Sequence, residues 1–121
     1  MRKKVTIVDY GLGNILSAYQ SFLKVINDEN LNINVLITDK PEDIIDSTHI
    51  ILPGQGAFKA CMNGLLNTPG MIDQLSKSVI EKNTPFLGIC VGMQLLATDS
   101  SENGKHAGLN WIPGHIKKLP N

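Results

Sequence analysis

Apolar residues come along this chain in short unbroken runs separated by amphipathic stretches, and that rhythm predicts most of the architecture. Lys4–Val8, Ile33–Thr38, His49–Leu52 and Phe86–Ile89 lack polar alternation, which predicts strands buried on both faces of a parallel sheet. After the first of them, Ile15, Tyr19, Phe22, Val25 and Ile26 recur at helical spacing and predict one face laid on that sheet, ending at the polar run Asn27–Asn30. Pro41 suits the first turn of a short helix, and Cys61–Leu66 reads as another. Thr68-Pro69 offers an N-cap and first-turn proline to a helix in which Ile72, Leu75 and Val79 share a face. Val91–Ala97 is expected to be helical, Asp99–Gly108 a polar surface loop, Trp111–Gly114 a turn, and His115–Leu119 the start of a further strand. Strands alternating with helices predict an α/β fold: a doubly wound, mostly parallel sheet with helices on both faces, in flavodoxin-like layers.

In such sheets ligands bind beyond the carboxyl ends of the strands. Three expected strands run into conspicuous loops there: Tyr10–Asn14, Pro53–Phe58, and the turn around Cys90. The last has the spacing Gly88-Ile-Cys90-Val-Gly92, the cysteine form of a strand-to-helix elbow that lifts one side chain above the sheet. A strained nucleophile needs glycine two residues to either side, where side chains would collide. A thiol at a helix N-terminus also faces the positive end of the helix dipole, the end that suits a thiolate. The plainer alternative is a buried, inert core cysteine.

Composition narrows the classes. With 121 residues the chain is expected to be one domain, 1–121, and 42% hydrophobic with 18% charged residues describes an ordinary globular protein. Eleven basic residues against eleven acidic ones give no field to draw it to nucleic acid or anionic lipid. Arg2-Lys3-Lys4 precedes an apolar run that breaks at Asp9, too early for a signal sequence or a membrane span. Cys61 and Cys90 therefore read as reduced thiols in a cytoplasmic protein. No metal-ligand spacing is present and no cofactor is expected.

Asp9-Tyr-Gly-Leu-Gly-Asn14, Pro53-Gly-Gln-Gly-Ala-Phe58 and Gly88-Ile-Cys-Val-Gly-Met-Gln-Leu-Leu96 together resemble the glutamine amidotransferase subunits of imidazole glycerol phosphate synthases, and Gly108–Gly114 resembles the segment that follows the elbow helix there. The elbow alone indicates class I glutamine amidotransferases; the other two motifs narrow it. The resemblance implies that Cys90 attacks the side-chain amide of L-glutamine to form a thioester and release ammonia. Val91 and the loop of Gly54, Gln55 and Gly56 would supply oxyanion-hole N–H groups, with glycine permitting a peptide flip. Gly54 and Gln94 would contact glutamine, and Gly13 and Asn14 would face a partner. That partner would be a cyclase subunit with a (β/α)8 barrel, joined in a heterodimer that uses the ammonia in histidine biosynthesis. Read without the resemblance, Gln94 merely lines a groove and Asn14 merely caps the first helix.

The resemblance also implies a histidine and a glutamate that complete a triad, both downstream of position 121. His49 is expected to be a half-buried sheet residue, His106 a solvated loop residue, and His115 follows a turn; none is carried over as the base. The chain thus reads as the nucleophile-bearing part without the acid–base part, inactive alone. The remainder comes from elsewhere, or the chain is a shortened, non-catalytic partner-binding subunit, or the elbow serves another cysteine chemistry.

Overall fold

The computed structural model describes residues 2–120, so the two ends of the expected 1–121 domain lie outside the described residues. The β-branched run after Arg2 forms β1 (Lys3–Val8), which pairs in parallel with β2 (Ile33–Thr38) on one side and β3 (His49–Gly54) on the other. β4 (Phe86–Cys90) joins β3 in parallel, giving the order β2-β1-β3-β4. All four expected strands form. β3 and β4 run beyond Leu52 and Ile89 because pairing continues through Pro53↔Ile89 and Gly54↔Cys90. β1 and β3 pair only as far as Ile7↔Ile51, so Pro53 falls where a residue without an N–H is tolerated.

Side chains alternate between the two faces even in these mostly apolar strands. Val5, Ile7 and Ile51 point to one face, where Ile15, Ala18, Tyr19 and Phe22 of α1 (Ile15–Asp28) cover them. Val8, Ile50 and Leu52 point to the other, against α2 (Phe58–Leu66) and α3 (Met71–Leu75), and there the core is deepest: Cys61, Leu65, Met71 and Leu75 are fully buried. The doubly wound layering is as the sequence predicts.

Several boundaries differ, each for a local reason. Val25 leaves the expected α1 face and is exposed, since the stripe through Ile15, Tyr19 and Phe22 continues at Ile26. α2 begins at Phe58, three residues early. Thr68 caps nothing; its hydroxyl donates back to the Gly64 carbonyl at 2.9 Å, and Gly70 at φ 74° starts α3 instead. A π-helical turn over Ser76–Glu81 then slips the face by a residue, so Ser78 is buried and Val79 only partly so.

The largest departure follows the elbow. Its helix, α4, is a single turn (Val91–Gln94), and the chain goes on into β5 (Ala97–Ser100) rather than extending the helix to Ala97. β5 pairs antiparallel with β6 (His106–Ala107) and parallel with β7 (Ile112–Ile116), a small second sheet. The expected loop 99–108 therefore opens with two buried residues, Asp99 and Ser100, and the expected turn 111–114 and strand 115–119 resolve into one strand, 112–116. Close backbone crossing makes this possible: a Cβ on Gly108 would run into the Ala97 carbonyl. Phe86 and Trp111 meet edge to face, centroids 5.4 Å apart, and tie the small sheet to the main core. Among the described residues no helix is long and apolar enough to cross a membrane.

Candidate active site

Cys90 ends β4 and stands at the N-cap of α4 with φ 55° and ψ −122°, a backbone state that costs a residue bearing a side chain about 1–3 kcal/mol. Packing on three glycines holds it there. A Cβ on Gly88 would lie 2.6 Å from Met93 Cα; one on Gly54 would lie 2.5 Å from the Gly92 nitrogen; one on Gly92 would overlap the Leu52 carbonyl. The expected G-x-C-x-G sterics are present, with α4 and the end of β3 as the obstacles. Cys90 itself is exposed, so it is not a core cysteine. With α4 only one turn long, few peptide dipoles align behind the sulfur, and the free N–H groups of that turn carry the local positive potential.

The Cys90 side of the corner lines a cleft of about 640 Å³ with Pro53–Gly56, Ile89, Val91, the α1 N-cap Asn14 and, from α1, Ser17 and Phe22. The three expected strand-end loops thus share this cleft: the Cys90 turn, the segment after Leu52, and the first loop through Asn14. The loop expected over 53–58 is shorter than that: Pro53 and Gly54 belong to β3, Phe58 to α2, and only Gln55–Ala57 are free of both. Gly54 therefore ends β3 in close backbone packing against α4, outside the short free segment that follows it. Gly56, at φ 104°, has nothing within 4 Å of where a Cβ would lie, in contrast to Gly54. Gly13, at φ 121°, packs beside the end of β3, where an added Cβ would lie 3.4 Å from the Pro53–Gly54 backbone. Asn14 occupies the N-cap of α1 but makes no side-chain capping bond, which leaves its amide for the cleft.

Two buried donors sit beneath the loop. The Tyr10 hydroxyl donates to the Pro53 carbonyl at 2.5 Å, and the Cys61 thiol lies 3.5 Å from the Gln55 carbonyl. Burial, and then the adjacent Cys61, push the Tyr10 phenol well above its ordinary range, so it stays a donor. The sequence carries no motif for this pair.

Gln94 does not line the Cys90 cleft. It faces a smaller pocket of about 140 Å³ with Ser100, Glu102, Asn103 and His106, and Gly56 and Val91 form the wall common to both spaces. Glu102 and Asn103 escape sequence reasoning because they fall in the stretch read as a solvated loop. His106, expected to be solvated, is half-buried there with Nε2 2.8 Å from the Asn103 carbonyl. His49 is half-buried at the start of β3 as expected. His115 is exposed on β7 and pairs with Asp99 at 2.7 Å. Among the described residues no histidine lines the Cys90 cleft, and no group of three His, Cys, Asp or Glu is placed to hold a metal.

The chain is similar to known proteins along nearly all its length. The family model for glutamine amidotransferase class-I matches residues 7–115. The imidazole glycerol phosphate synthase subunit HisH of Zymomonas mobilis is 44% identical over 116 residues, covering 95% of this chain and 53% of that protein. HisH of Geobacter sulfurreducens is 44% identical over 117 residues (97% and 52%), and HisH of Rhodospirillum rubrum 38% identical over 116 (96% and 54%). The chain spans about half the length of the curated relatives it matches.

Proposed function

Because the chain belongs to the class-I glutamine amidotransferase family, we propose that it carries the nucleophile-bearing part of the glutaminase subunit of an imidazole glycerol phosphate synthase, acting in histidine biosynthesis. The observation that carries this reading is the strained, exposed Cys90 opening on the same cleft as Gln55, Gly56 and Val91. Cys90 attacks the side-chain carbonyl carbon of glutamine. The developing oxyanion is met by the N–H of Val91, which as the first residue of α4 has no helical acceptor, and by an N–H of the Gln55–Gly56 segment. The C–N bond then breaks, ammonia leaves, and water later hydrolyses the thioester.

The shared wall of Gly56 and Val91 supports an orientation for the substrate. With the amide at Cys90, the amino-acid head of glutamine reaches the smaller pocket, where Gln94 offers amide hydrogen bonds and Glu102 a carboxylate for the α-ammonium. Gly13 and Asn14 face the cyclase partner, a (β/α)8 barrel that receives the ammonia. The leaving nitrogen needs a proton, and the histidine and glutamate that manage it belong to the segment that completes the domain. A non-catalytic, partner-binding role is the second reading, favoured by the lack of a histidine on the Cys90 cleft among the described residues.

A diazo-ketone analogue of glutamine tests this. Cys61 is buried, so preference for Cys90 alone decides nothing. The expected result is saturable labelling of Cys90 that L-glutamine suppresses and D-glutamine does not. Non-saturable labelling indifferent to L-glutamine sinks the proposal, and steady glutamine turnover by this chain alone refutes the external histidine.

A further inference from the structure

We propose that Asn103 is a self-modification site, converted to aspartate and isoaspartate by attack of the Gly104 backbone nitrogen with His106 assisting. The chain holds two Asn-Gly pairs, Asn63-Gly64 and Asn103-Gly104. Glycine has no side chain to shield its nitrogen, which can therefore reach the carbonyl carbon of the preceding asparagine side chain. The fold treats the two pairs oppositely. Asn63-Gly64 lies inside α2, where helical geometry fixes the peptide and commits the Gly64 N–H to the ladder. Asn103-Gly104 lies in the connection from β5 to β6, and both residues are exposed. Gly104 sits at φ 80°; beyond its chain neighbours, the one heavy atom among the described residues within 4 Å of where its Cβ would be is His106 Nε2, at 3.6 Å. That same nitrogen lies 2.8 Å from the Asn103 main-chain carbonyl oxygen. A carbonyl only accepts, so Nε2 carries the proton and donates.

The carbonyl that His106 holds belongs to the very peptide whose nitrogen attacks. When a solvent base takes the Gly104 N–H proton, amide resonance spreads the negative charge onto the Asn103 oxygen. The His106 hydrogen bond strengthens as that charge develops. The nitrogen then adds to the side-chain carbonyl carbon and closes a cyclic imide. The bond from that carbon to the amide nitrogen breaks, and ammonia leaves with a proton returned from solvent. Water opens the imide at one carbonyl or the other, giving aspartate or isoaspartate. Either product adds a carboxylate to the small pocket that Asn103 lines with Gln94 and Glu102. The modification goes beyond the glutaminase reading and does not depend on it.

Incubating the folded 121-residue chain in mildly alkaline buffer tests this, with peptide mass spectrometry to locate the mass gain and enzymatic methylation to count isoaspartate. Asn103 is expected to convert, and Asn63 to convert at least about tenfold more slowly, because α2 must open first. His106→Ala is expected to slow Asn103 by about tenfold, the worth of a hydrogen bond to a charged group. His106→Gln, whose amide nitrogen can still donate, is expected to keep the parent's rate. In concentrated urea the two pairs are expected to react alike in parent and variants, since the selectivity belongs to the fold. Asn63 converting as fast as Asn103 in the folded parent overturns the proposal. So does H106A converting Asn103 at the parent's rate, or H106Q doing so as slowly as H106A. A His106 effect that survives in urea overturns it too, by making the assistance a property of the local sequence alone.

Discussion

Cys90 occupies a backbone state that its own side chain opposes, and that opposition can be measured. Replacing it by glycine removes the Cβ at φ 55° and recovers strain of about 1–3 kcal/mol, against roughly 0.5–1 kcal/mol of added chain entropy. Cys90→Gly is therefore expected to raise unfolding stability by about 1 kcal/mol while abolishing every thiol reaction at the site, read from a denaturant midpoint. No gain would mean the corner is unstrained. Gly92 makes the opposite case. Gly92→Ala drives a methyl into the Leu52 carbonyl, with no flexible side chain to yield, and is expected to cost about 3 kcal/mol. A folded G92A chain of unchanged midpoint would contradict the close contact of α4 with β3.

Single elements show where charge adds to the fold. Lys4 on β1 reaches across to the 3₁₀ turn at Pro41–Asp43 and the segment after it, donating to the Asp43 carbonyl at 2.8 Å and to Asp46 at 2.6 Å. The hydrogen bond from Lys4, helped by its charge and opposed by slight desolvation, holds the Asp46 carboxyl below its ordinary range. A depressed acid stabilises the fold at pH above its unfolded value and loses that contribution as pH falls through its folded one. The stability gap between the parent chain and Asp46→Asn is thus expected at neutral pH, to narrow once pH falls below about 4, and to stay modest because Asp46 is largely exposed. A gap as wide at pH 3 as at pH 7 would place its origin elsewhere. Elements also explain what could be read in advance. β1 to β4 and α1 to α3 were legible because apolar runs and helical stripes report burial directly, and Cys90 because its flanking glycines leave a spacing. β5 to β7 were not, since Ala97–Ser100 and Ile112–Ile116 become strands only by pairing with each other, helped by a glycine at 108 whose purpose is visible only in three dimensions. Glu102 and Asn103 were hidden with them. So was the real length of the 53–58 loop, because nothing in Pro53-Gly54 announces that both continue a strand.

Across the whole molecule the main sheet is unevenly covered. Among the described residues no strand pairs with the outer side of β4, and Leu87 on that strand is half exposed, as are Leu16 and Val25 on α1. Open strand edges beside apolar surface recruit other chains. The isolated 121-residue polypeptide is expected to self-associate in sedimentation velocity, and Leu87→Lys to reduce that association. A concentration-independent monomer would refute it. The direct backbone contact of Gly54 with Gly92 bears on how any such neighbour would be felt at the sulfur. Two main chains that touch without side chains between them have no rotamers to absorb a push, so the tip of β3 and the start of α4 should travel as one piece. Whatever hinge the site possesses is left to the three residues Gln55–Ala57, and pressure from outside would be spent there as rotation and never as a gap beneath the thiol.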